Sequence, residues 1–261
     1  MPIGITHKRL QYFGLQIYRY FQNRLLESIV DFFGRQPTAI QGKFAIALAK
    51  RNVDRLTCAE FERRYEATPE KFKAELIEGV VYVASPVRTF HGVPHADLVT
   101  WLGLYRTATH GVSVADNTTT RLDLDNEPQP DALLRIENGG TSTISEDGYI
   151  EGTPELVAEI ATSSAAIDLG AKKNAYRRNG VHEYLVWQTF ENRFSWFRLP
   201  AEEFVLIEPD ADGIIRSSTF PGLWLALPAL LEGNMIQVLN VLQAGIADLA
   251  HQAFIQKLAA Q

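Results

Sequence analysis

The sequence has almost no cysteine and no long apolar run, and each absence excludes a class of protein. Its single cysteine is Cys58, which rules out an intramolecular disulfide framework and a zinc site built from cysteines. No stretch reaches the roughly 18 consecutive apolar residues of a membrane-spanning helix. The N-terminal residues also lack the charged, apolar and small-residue succession of a signal peptide. We therefore expect a cytoplasmic protein without a membrane span.

Charge is distributed unevenly along the chain. The formal net charge is -6, but residues 1–55 contain 9 Lys and Arg against 3 Asp and Glu, whereas the other 206 residues contain 16 against 28. Sequence-independent DNA binding depends largely on neutralising phosphates with basic side chains. The acidic character of the chain after residue 55 therefore argues against a function in DNA binding.

The basic N-terminal segment predicts a long amphipathic helix between Lys8 and Phe33. Apolar residues recur there every three or four positions, which places them on one helix face: Leu10, Phe13, Ile17, Phe21, Leu25, Ile29 and Phe32. Such a helix could lie on a membrane surface, grip a partner, or pack on its own domain or on a dimer mate. We assign residues 1–56 to a basic helical extension and linker.

From Thr57 onward the chain alternates predicted helices and strands. Thr57-Cys58-Ala59-Glu60 fits a capping box at the start of a short helix, and residues 75–83 predict a hairpin about a Glu-Gly turn. A helix is expected to start near Pro94, and residues 138–152 predict a long surface loop. The remaining predictions are strands at 111–116, 118–124, 132–136, 156–161, 183–187, 193–199 and 204–207, and a C-terminal helix at 234–249.

The segment from Pro154 to Trp187 organises the rest. Two short apolar runs, 156–161 and 183–187, are separated by about 20 residues of helical character, which is the spacing of a βαβ crossover. Glu159 lies in the middle of the first run. A buried acid is strongly unfavourable unless it is paired, hydrogen-bonded or bound to a cation, so Glu159 predicts a specific partner.

Two features place possible partners beside Glu159. Asp131 directly precedes the strand that is predicted to pair with the Glu159 strand. Two acids at neighbouring strand ends can share a magnesium ion, because magnesium takes carboxylate and backbone carbonyl oxygens. Asp168, Lys172 and Tyr176 follow at helical spacing, so they share one helix face from which Lys172 could reach the same point. A bound magnesium supports phosphodiester hydrolysis, because it lowers the pKa of a bound water and stabilises the charge on the phosphate.

At these residues the sequence resembles the Uma-two family of endonucleases, a branch of the restriction-endonuclease-like PD-(D/E)XK superfamily. The resemblance covers about residues 57–208, with further similarity at 220–224. Each motif alone is weak, but the set in this order is specific. The matching segments are Glu75–Gly79, Ser85-Pro86, His95, Pro130-Asp131, Leu156–Ile160, Asp168–Lys172, Tyr176 and Gly180–Val186.

The resemblance implies an α/β fold of the restriction-endonuclease-like type, with a central mixed β-sheet flanked by helices. Together with the helical patterns at both ends, it predicts a nuclease domain at 57–208 between N-terminal and C-terminal helical extensions. The segment 209–261 is expected to pack on the core or on a dimer face. A homodimer is plausible for this superfamily because two sites related by a two-fold axis can cut both strands.

The resemblance also implies magnesium-dependent hydrolysis of DNA, with manganese substituting and no organic cofactor. Asp131, Glu159 and the main-chain carbonyl of Ile160 would hold the metal, and Lys172 would be the catalytic lysine. The superfamily usually keeps this lysine two residues after the strand acid, where this chain has Ala161, so Lys172 fits a migrated arrangement. Further residues implied in supporting roles are Glu75, His95 and Tyr176.

Two other function classes remain open at this point. A nuclease-like fold could serve as a non-catalytic binding or dimerisation module, which would suit the acidic body. A carboxylate-pair hydrolase acting on sugars would need two acids about 5–10 Å apart and no metal, and would leave Lys172 without a role. Binding of a divalent ion separates the first alternative from the nuclease.

Overall fold

The computed structural model describes residues 55–68, 72–84 and 86–260, and the helix predicted at 8–33 lies outside these residues. The elements in chain order are α1 (Cys58–Tyr65), β1 (Ala74–Ile77), β2 (Val80–Val83), α2 (Thr89–Ala108), β3 (Val112–Asp116), β4 (Thr120–Arg121), β5 (Ala132–Ile136), β6 (Ser142–Ile144), β7 (Ile150–Gly152), β8 (Leu156–Ala161), α3 (Ala165–Ile167), the π-helical turn π1 (Asp168–Lys172), α4 (Lys173–Arg178), β9 (Glu183–Gln188), β10 (Arg193–Arg198), β11 (Val205–Leu206), β12 (Ile214–Arg216), β13 (Trp224–Ala226), α5 (Leu227–Leu231), α6 (Met235–Ile246) and α7 (Leu249–Ala259).

A mixed sheet with the order β11-β10-β9-β8-β5-β3 forms the centre of this region. The β8–β9 pair is parallel, whereas the other four neighbouring pairs are antiparallel. The parallel pair is joined through α3, π1 and α4, so the predicted βαβ crossover is confirmed. A mixed sheet flanked by helices is the fold class that the sequence implied. No helix in the described ranges is long and apolar enough to cross a membrane.

Strand β8 is buried along its whole length because helices cover both faces of the sheet. Side chains alternate between the two faces of a strand. Leu156, Ala158 and Ile160 therefore join the core cluster that contains Trp101 of α2. Val157 and Ala161 point the other way, into a cluster with Tyr176 of α4. Glu159 shares the face of this second cluster, and its side chain consequently points towards the crossover helices.

The predicted hairpin is confirmed, with β1 pairing antiparallel to β2. Its two turn residues, Glu78 and Gly79, have φ values of 50° and 75°. Two successive positive φ values favour glycine and form the tight turn whose twist matches that of the strands. Strand β1 of this hairpin carries Glu75, one of the predicted site residues.

Helix α2 corrects one prediction. We expected a helix start near Pro94, because proline is favoured in the first helical turn, but the helix begins at Thr89 and contains Pro94. The preceding Arg88 makes no side-chain capping bond, so the sequence gives no cap signal there. The additional turn carries His91, which the sequence analysis did not single out.

Three other element predictions are also corrected. The strand expected at 118–124 is reduced to β4, which pairs with β7 in a small separate sheet. The loop expected at 138–152 contains β6 and β7 of that sheet. The C-terminal helix expected at 234–249 is α6, which ends at Ile246. The sequence analysis missed α7, which Asp248 starts by accepting a hydrogen bond from the Ala250 N–H.

Glu127 is a buried acid outside the crossover region. Its main chain pairs with Leu76 of β1, and its Oε2 atom is buried without a hydrogen-bond partner among the residues described. Burial raises the pKa of its carboxyl to about 8, and the negative charge of Glu62 adds to this increase. The folded state therefore favours the protonated form of Glu127.

We expect the Glu127→Gln variant to be more stable than the wild type at high pH. The pKa of Glu127 is higher in the folded state than its ordinary value of 4.5, so its ionisation reduces stability as the pH rises from about 4.5 to about 8. The variant cannot ionise there and should gain about 2 kcal/mol at pH 9, allowing for partial solvation, and little at pH 4.5. Urea denaturation at both pH values measures the difference. Glu146→Gln, at an exposed position, is the control, and an equal difference at both pH values would contradict the prediction.

Candidate active site

Glu159 makes two direct contacts with the crossover helices. Its Oε1 atom accepts a hydrogen bond from the Tyr176 hydroxyl at 2.8 Å and one from Lys172 Nζ at 3.1 Å. Only 4% of the Glu159 side chain is exposed. Glu159 therefore has the specific partners that its burial requires. They are Lys172 and Tyr176, the two helix residues predicted from the sequence.

Lys172 gathers three carboxylates around one ammonium group. Its Nζ atom lies 2.9 Å from Glu75 Oε1, 3.1 Å from Glu159 Oε1 and 3.8 Å from Asp168 Oδ1. Glu75 comes from β1, Glu159 from β8 and Asp168 from π1, so the lysine joins three elements. The structure thus brings together four of the predicted residues: Glu75, Glu159, Lys172 and Tyr176.

The segment that carries Asp168 and Lys172 is a π-helical turn rather than regular α-helix. π-helical turns within helices are frequent at functional sites. Both of these side chains are buried in the turn, although the sequence pattern placed them on an ordinary helix face. The spacing correctly predicted that the two residues share a face, but it did not predict the local widening of the helix.

Asp131 lies beside Glu159 on the neighbouring strand side of the sheet, directly before β5. Strand β5 pairs Ala132 with Ala158 of β8, so one further step in this antiparallel register places Asp131 opposite Glu159. Asp131 Oδ2 accepts a hydrogen bond from the Ile160 N–H at 2.7 Å. The two predicted acids thus occupy adjacent positions, as the predicted pairing of their strands required.

Two histidines of α2 contact Asp131 from the other side of the sheet. His95 Nε2 lies 2.8 Å from the Asp131 main-chain oxygen and 2.8 Å from Asp116 Oδ1. His91, one helical turn earlier, stacks on His95 with ring centroids 5.7 Å apart. Its Nε2 atom lies 3.1 Å from Asp131 Oδ1, and its Nδ1 atom lies 3.1 Å from the Ile160 carbonyl oxygen.

The sequence analysis missed His91 and Asp116. The spacing of four residues between His91 and His95 is a signal that could have found His91, had the helix been placed correctly. Asp116 ends β3, and its partnership with His95 depends on sheet pairing rather than on local spacing.

Acidic groups dominate the electrostatics of the cluster. Burial raises the pKa of Glu159 well above its ordinary value; Lys172 opposes this shift, and the charges of Asp168, Asp131 and Glu75 add to it. Burial likewise raises the pKa of Asp168 to about 6, again against the effect of Lys172. Burial of these acids beside one another therefore favours either a retained proton or an additional cation.

Lys172 remains charged despite its burial. Desolvation lowers the pKa of its ammonium group, but the charges of Glu159, Glu75 and Asp168 outweigh that effect, and the pKa lies above its ordinary value. For His91, the hydrogen bond to Asp131 outweighs burial and raises the pKa of the imidazole. Lys172 can consequently donate hydrogen bonds and neutralise charge, but in this arrangement it cannot act as a base.

The oxygen donors fit a small hard cation. No group of three or more histidine, cysteine, aspartate or glutamate side chains within the described ranges is arranged to hold a metal ion. Magnesium, however, is usually bound by one or two carboxylates and keeps several waters. Asp131, Glu159 and the Ile160 carbonyl are oxygen donors of this kind, and a cation there would offset the burial of Glu159 beside other acids.

Comparison with known proteins shows a family and a solved structure to which this chain is similar. A family model described as "Uma2: Putative restriction endonuclease" matches residues 58–228. A crystal structure of "a putative nuclease belonging to DUF820" from Anabaena variabilis is similar over 65% of this chain and 96% of that chain, with a TM-score of 0.53 and 17% identity. At that identity the likeness supports the fold alone. No curated protein matches the chain.

Proposed function

Because the chain belongs to the Uma2 family of restriction-endonuclease-like nucleases, we propose that it is a magnesium-dependent endonuclease that hydrolyses DNA phosphodiester bonds. The family resemblance inferred from the sequence is confirmed by the same match. The observation that carries the proposal is the convergence of Glu75 and Glu159 on the buried ammonium group of Lys172, with Asp131 adjacent. A purely structural ion pair would not need this excess of acids.

In this proposal Asp131, Glu159 and the Ile160 carbonyl hold magnesium, and manganese can substitute. The bound ion would supply a water of lowered pKa and positive charge for the phosphate. The hydrogen bond from the Ile160 N–H fixes Asp131 Oδ2, and the Tyr176 hydroxyl fixes Glu159 Oε1. These contacts set the orientation of both carboxylates before substrate binds.

The other residues of the motif have supporting roles. Lys172 neutralises charge on the attacking oxygen or the phosphate. It does so from the crossover helix, whereas the superfamily usually has this lysine on the strand, at the position of Ala161. Glu75 holds the lysine through the 2.9 Å ion pair, and His95 holds the Asp131 main chain at the strand mouth. Since Lys172 stays protonated, the proton of the attacking water has to pass to solvent or to the phosphate.

One alternative deserves a direct test. The acidic balance of the chain after residue 55 favours a nuclease-like fold that binds a partner without catalysis, because such a body attracts DNA poorly. The sugar hydrolase loses its support, since the chain belongs to a nuclease family.

We further propose a cytoplasmic homodimer. Light scattering at working concentration measures whether the protein is a dimer.

The experiment is cleavage of supercoiled plasmid with magnesium or manganese. We expect metal-dependent nicking by the wild type and a loss of at least about a hundredfold in Asp131→Asn and Glu159→Gln, because even the groups that only orient metal ligands are worth about 10–100-fold. Glu191→Gln, at an exposed position, is the matched control and should cut normally.

Two results would count against the proposal. If the wild type neither cuts DNA nor takes up metal in calorimetry, the non-catalytic module becomes the better explanation. If the two acid variants cut as fast as Glu191→Gln, Asp131 and Glu159 are not the metal-binding acids.

A further inference from the structure

His91 contacts two of the three groups that are proposed to hold the metal. Its two ring nitrogens lie 3.1 Å from Asp131 Oδ1 and 3.1 Å from the Ile160 carbonyl oxygen. Glu159, the third group, is instead engaged by Lys172 and Tyr176. One imidazole ring therefore bridges the Asp131 carboxylate, directly before β5, and the Ile160 carbonyl of β8.

Both contacts of the ring use oxygens that a hard divalent ion would also use. A carbonyl oxygen can only accept a hydrogen bond, so Nδ1 has to donate to Ile160. Nε2 lies beside Asp131 Oδ1, so one ring covers a lone pair of each oxygen. Carboxylate and carbonyl oxygens are the ligands that such an ion takes.

We propose that His91 is a displaceable placeholder, which occupies Asp131 and the Ile160 carbonyl in the metal-free protein and turns away when a divalent ion binds. The ion and the His91 ring compete for the same two oxygens, so His91 lowers the metal affinity while keeping both ligands oriented. This inference rests on the proposed function, because it concerns the regulation of the same metal site.

The position of His91 allows the movement. It lies in the first turn of α2, and its side chain is 20% exposed, unlike the nearly enclosed side chains of Glu159 and Lys172. Its neighbours Phe90 and Val93 are 63% and 60% exposed, so the helix surface beside it is open to solvent. Rotation of the imidazole into water would leave Asp131 Oδ1 and the Ile160 carbonyl free without moving either strand.

Calorimetric titration of manganese into the full-length protein at one fixed pH tests the proposal. We expect His91→Ala to bind manganese about tenfold more tightly than the wild type, which is the low end of what a hydrogen bond to a charged group contributes. His91→Gln, which cannot donate to both oxygens in this geometry, should also bind more tightly, by a smaller factor. His110→Ala, from outside the site, is the matched control and should bind as the wild type does.

A second measurement needs no variant. In the wild type, addition of magnesium should shift the His91 ring resonances in NMR spectra towards those of a solvent-exposed histidine, because the ring leaves both oxygens. Ring resonances that do not respond to saturating magnesium would overturn the proposal. This readout stands even if a His91 variant folds poorly.

The outcomes separate this inference from the proposed function. Weaker binding by the His91 variants would make His91 a metal ligand, and unchanged binding would make it irrelevant to the metal; either result overturns the placeholder while the nuclease proposal stands. If neither the wild type nor His91→Ala takes up manganese, the metal site itself fails and both proposals fall. Loss of uptake in Asp131→Asn, together with tighter binding by His91→Ala, supports both.

Discussion

Replacing Lys172 with methionine is expected to lower the rate of metal-dependent DNA cleavage by about a hundredfold to a thousandfold, the usual effect of removing one preorganised donor that stabilises developing charge. Methionine keeps the length of the side chain but removes the ammonium group that lies within 3.8 Å of three carboxylates. Without the positive charge of Lys172, the remaining carboxylates would repel the phosphate. Plasmid cleavage under single-turnover conditions measures the loss.

The same substitution should also destabilise the fold. Removing one partner of a buried ion pair leaves uncompensated charge and costs about 3–5 kcal/mol. Without Lys172, the pKa values of Glu159 and Asp168 lose the influence that lowers them, so both acids favour the protonated form more strongly. Raised acid pKa values make stability fall as pH rises, and we therefore expect the deficit to be larger at pH 8 than at pH 5. Activity therefore has to be compared at temperatures at which thermal melting shows that the variant is folded.

Lys173→Met is the matched control for this prediction. Lys173 is the next residue, but its Nζ lies 3.5 Å from the centre of the Phe197 ring, away from the acid cluster. Its replacement should leave cleavage within about twofold of wild type, because the residue touches no proposed ligand and a partly exposed cation–π contact is weak. Equal loss in both variants would assign the effect to folding or to general charge, and full activity of Lys172→Met would remove Lys172 from the mechanism.

Local sequence patterns predicted the centre of the site because its members are close along the chain. Glu159 stood out as an acid within an apolar strand, and the spacing to Lys172 and Tyr176 placed both on a helix that returns over that strand. The crossover connection determines where such a helix packs. The contacts of these three side chains follow from that packing.

The more distant parts of the site did not follow from local patterns. Glu75 reaches Lys172 across nearly a hundred residues, and only the family resemblance indicated it. His91 was missed because no capping residue marks the start of α2 and because Pro94 favoured a later start. The π-helical turn was missed because a spacing of four residues between Asp168 and Lys172 also fits one face of a regular α-helix.

A buried acid within a strand also does not by itself distinguish chemistry from structure. Glu155 and Glu183 are as buried as Glu159, and the sequence analysis assigned a role to Glu159 alone. Glu155 accepts hydrogen bonds from the main-chain N–H groups of Ile136 and Thr141. Both are neutral donors, one at the end of β5 and one in the connection between β5 and β6. Glu159 differs because its neighbours are a lysine and other acids, so its carboxylate shares one ammonium group with two further carboxylates.

Glu183 is the clearest structural counterpart, and Glu183→Ala is expected to destabilise the fold by about 4 kcal/mol. Its Oε1 accepts from the Ser218 N–H at 2.7 Å and the Thr219 N–H at 2.9 Å, and its Oε2 accepts from Trp196 Nε1 at 3.0 Å. Alanine would leave these donors without an acceptor, and each buried unsatisfied group costs about 1–3 kcal/mol. Against a typical total stability of about 5–15 kcal/mol, this loss brings the protein close to unfolding at moderate temperature.

Urea denaturation of Glu183→Ala, Glu183→Gln and the exposed control Glu191→Ala distinguishes this explanation from a general effect of charge. Glutamine keeps one acceptor oxygen but turns an amide donor towards groups that themselves donate, so we expect it to lose about half as much stability as alanine. The control should change stability by less than about 0.5 kcal/mol. If Glu183→Gln were as stable as the wild type, the carboxylate charge would not be what holds residues 217–219 against β9 and β10. Nicking per folded molecule should remain at the wild-type level in all three variants, because Glu183 makes no contact with the Lys172 cluster among the bonds described.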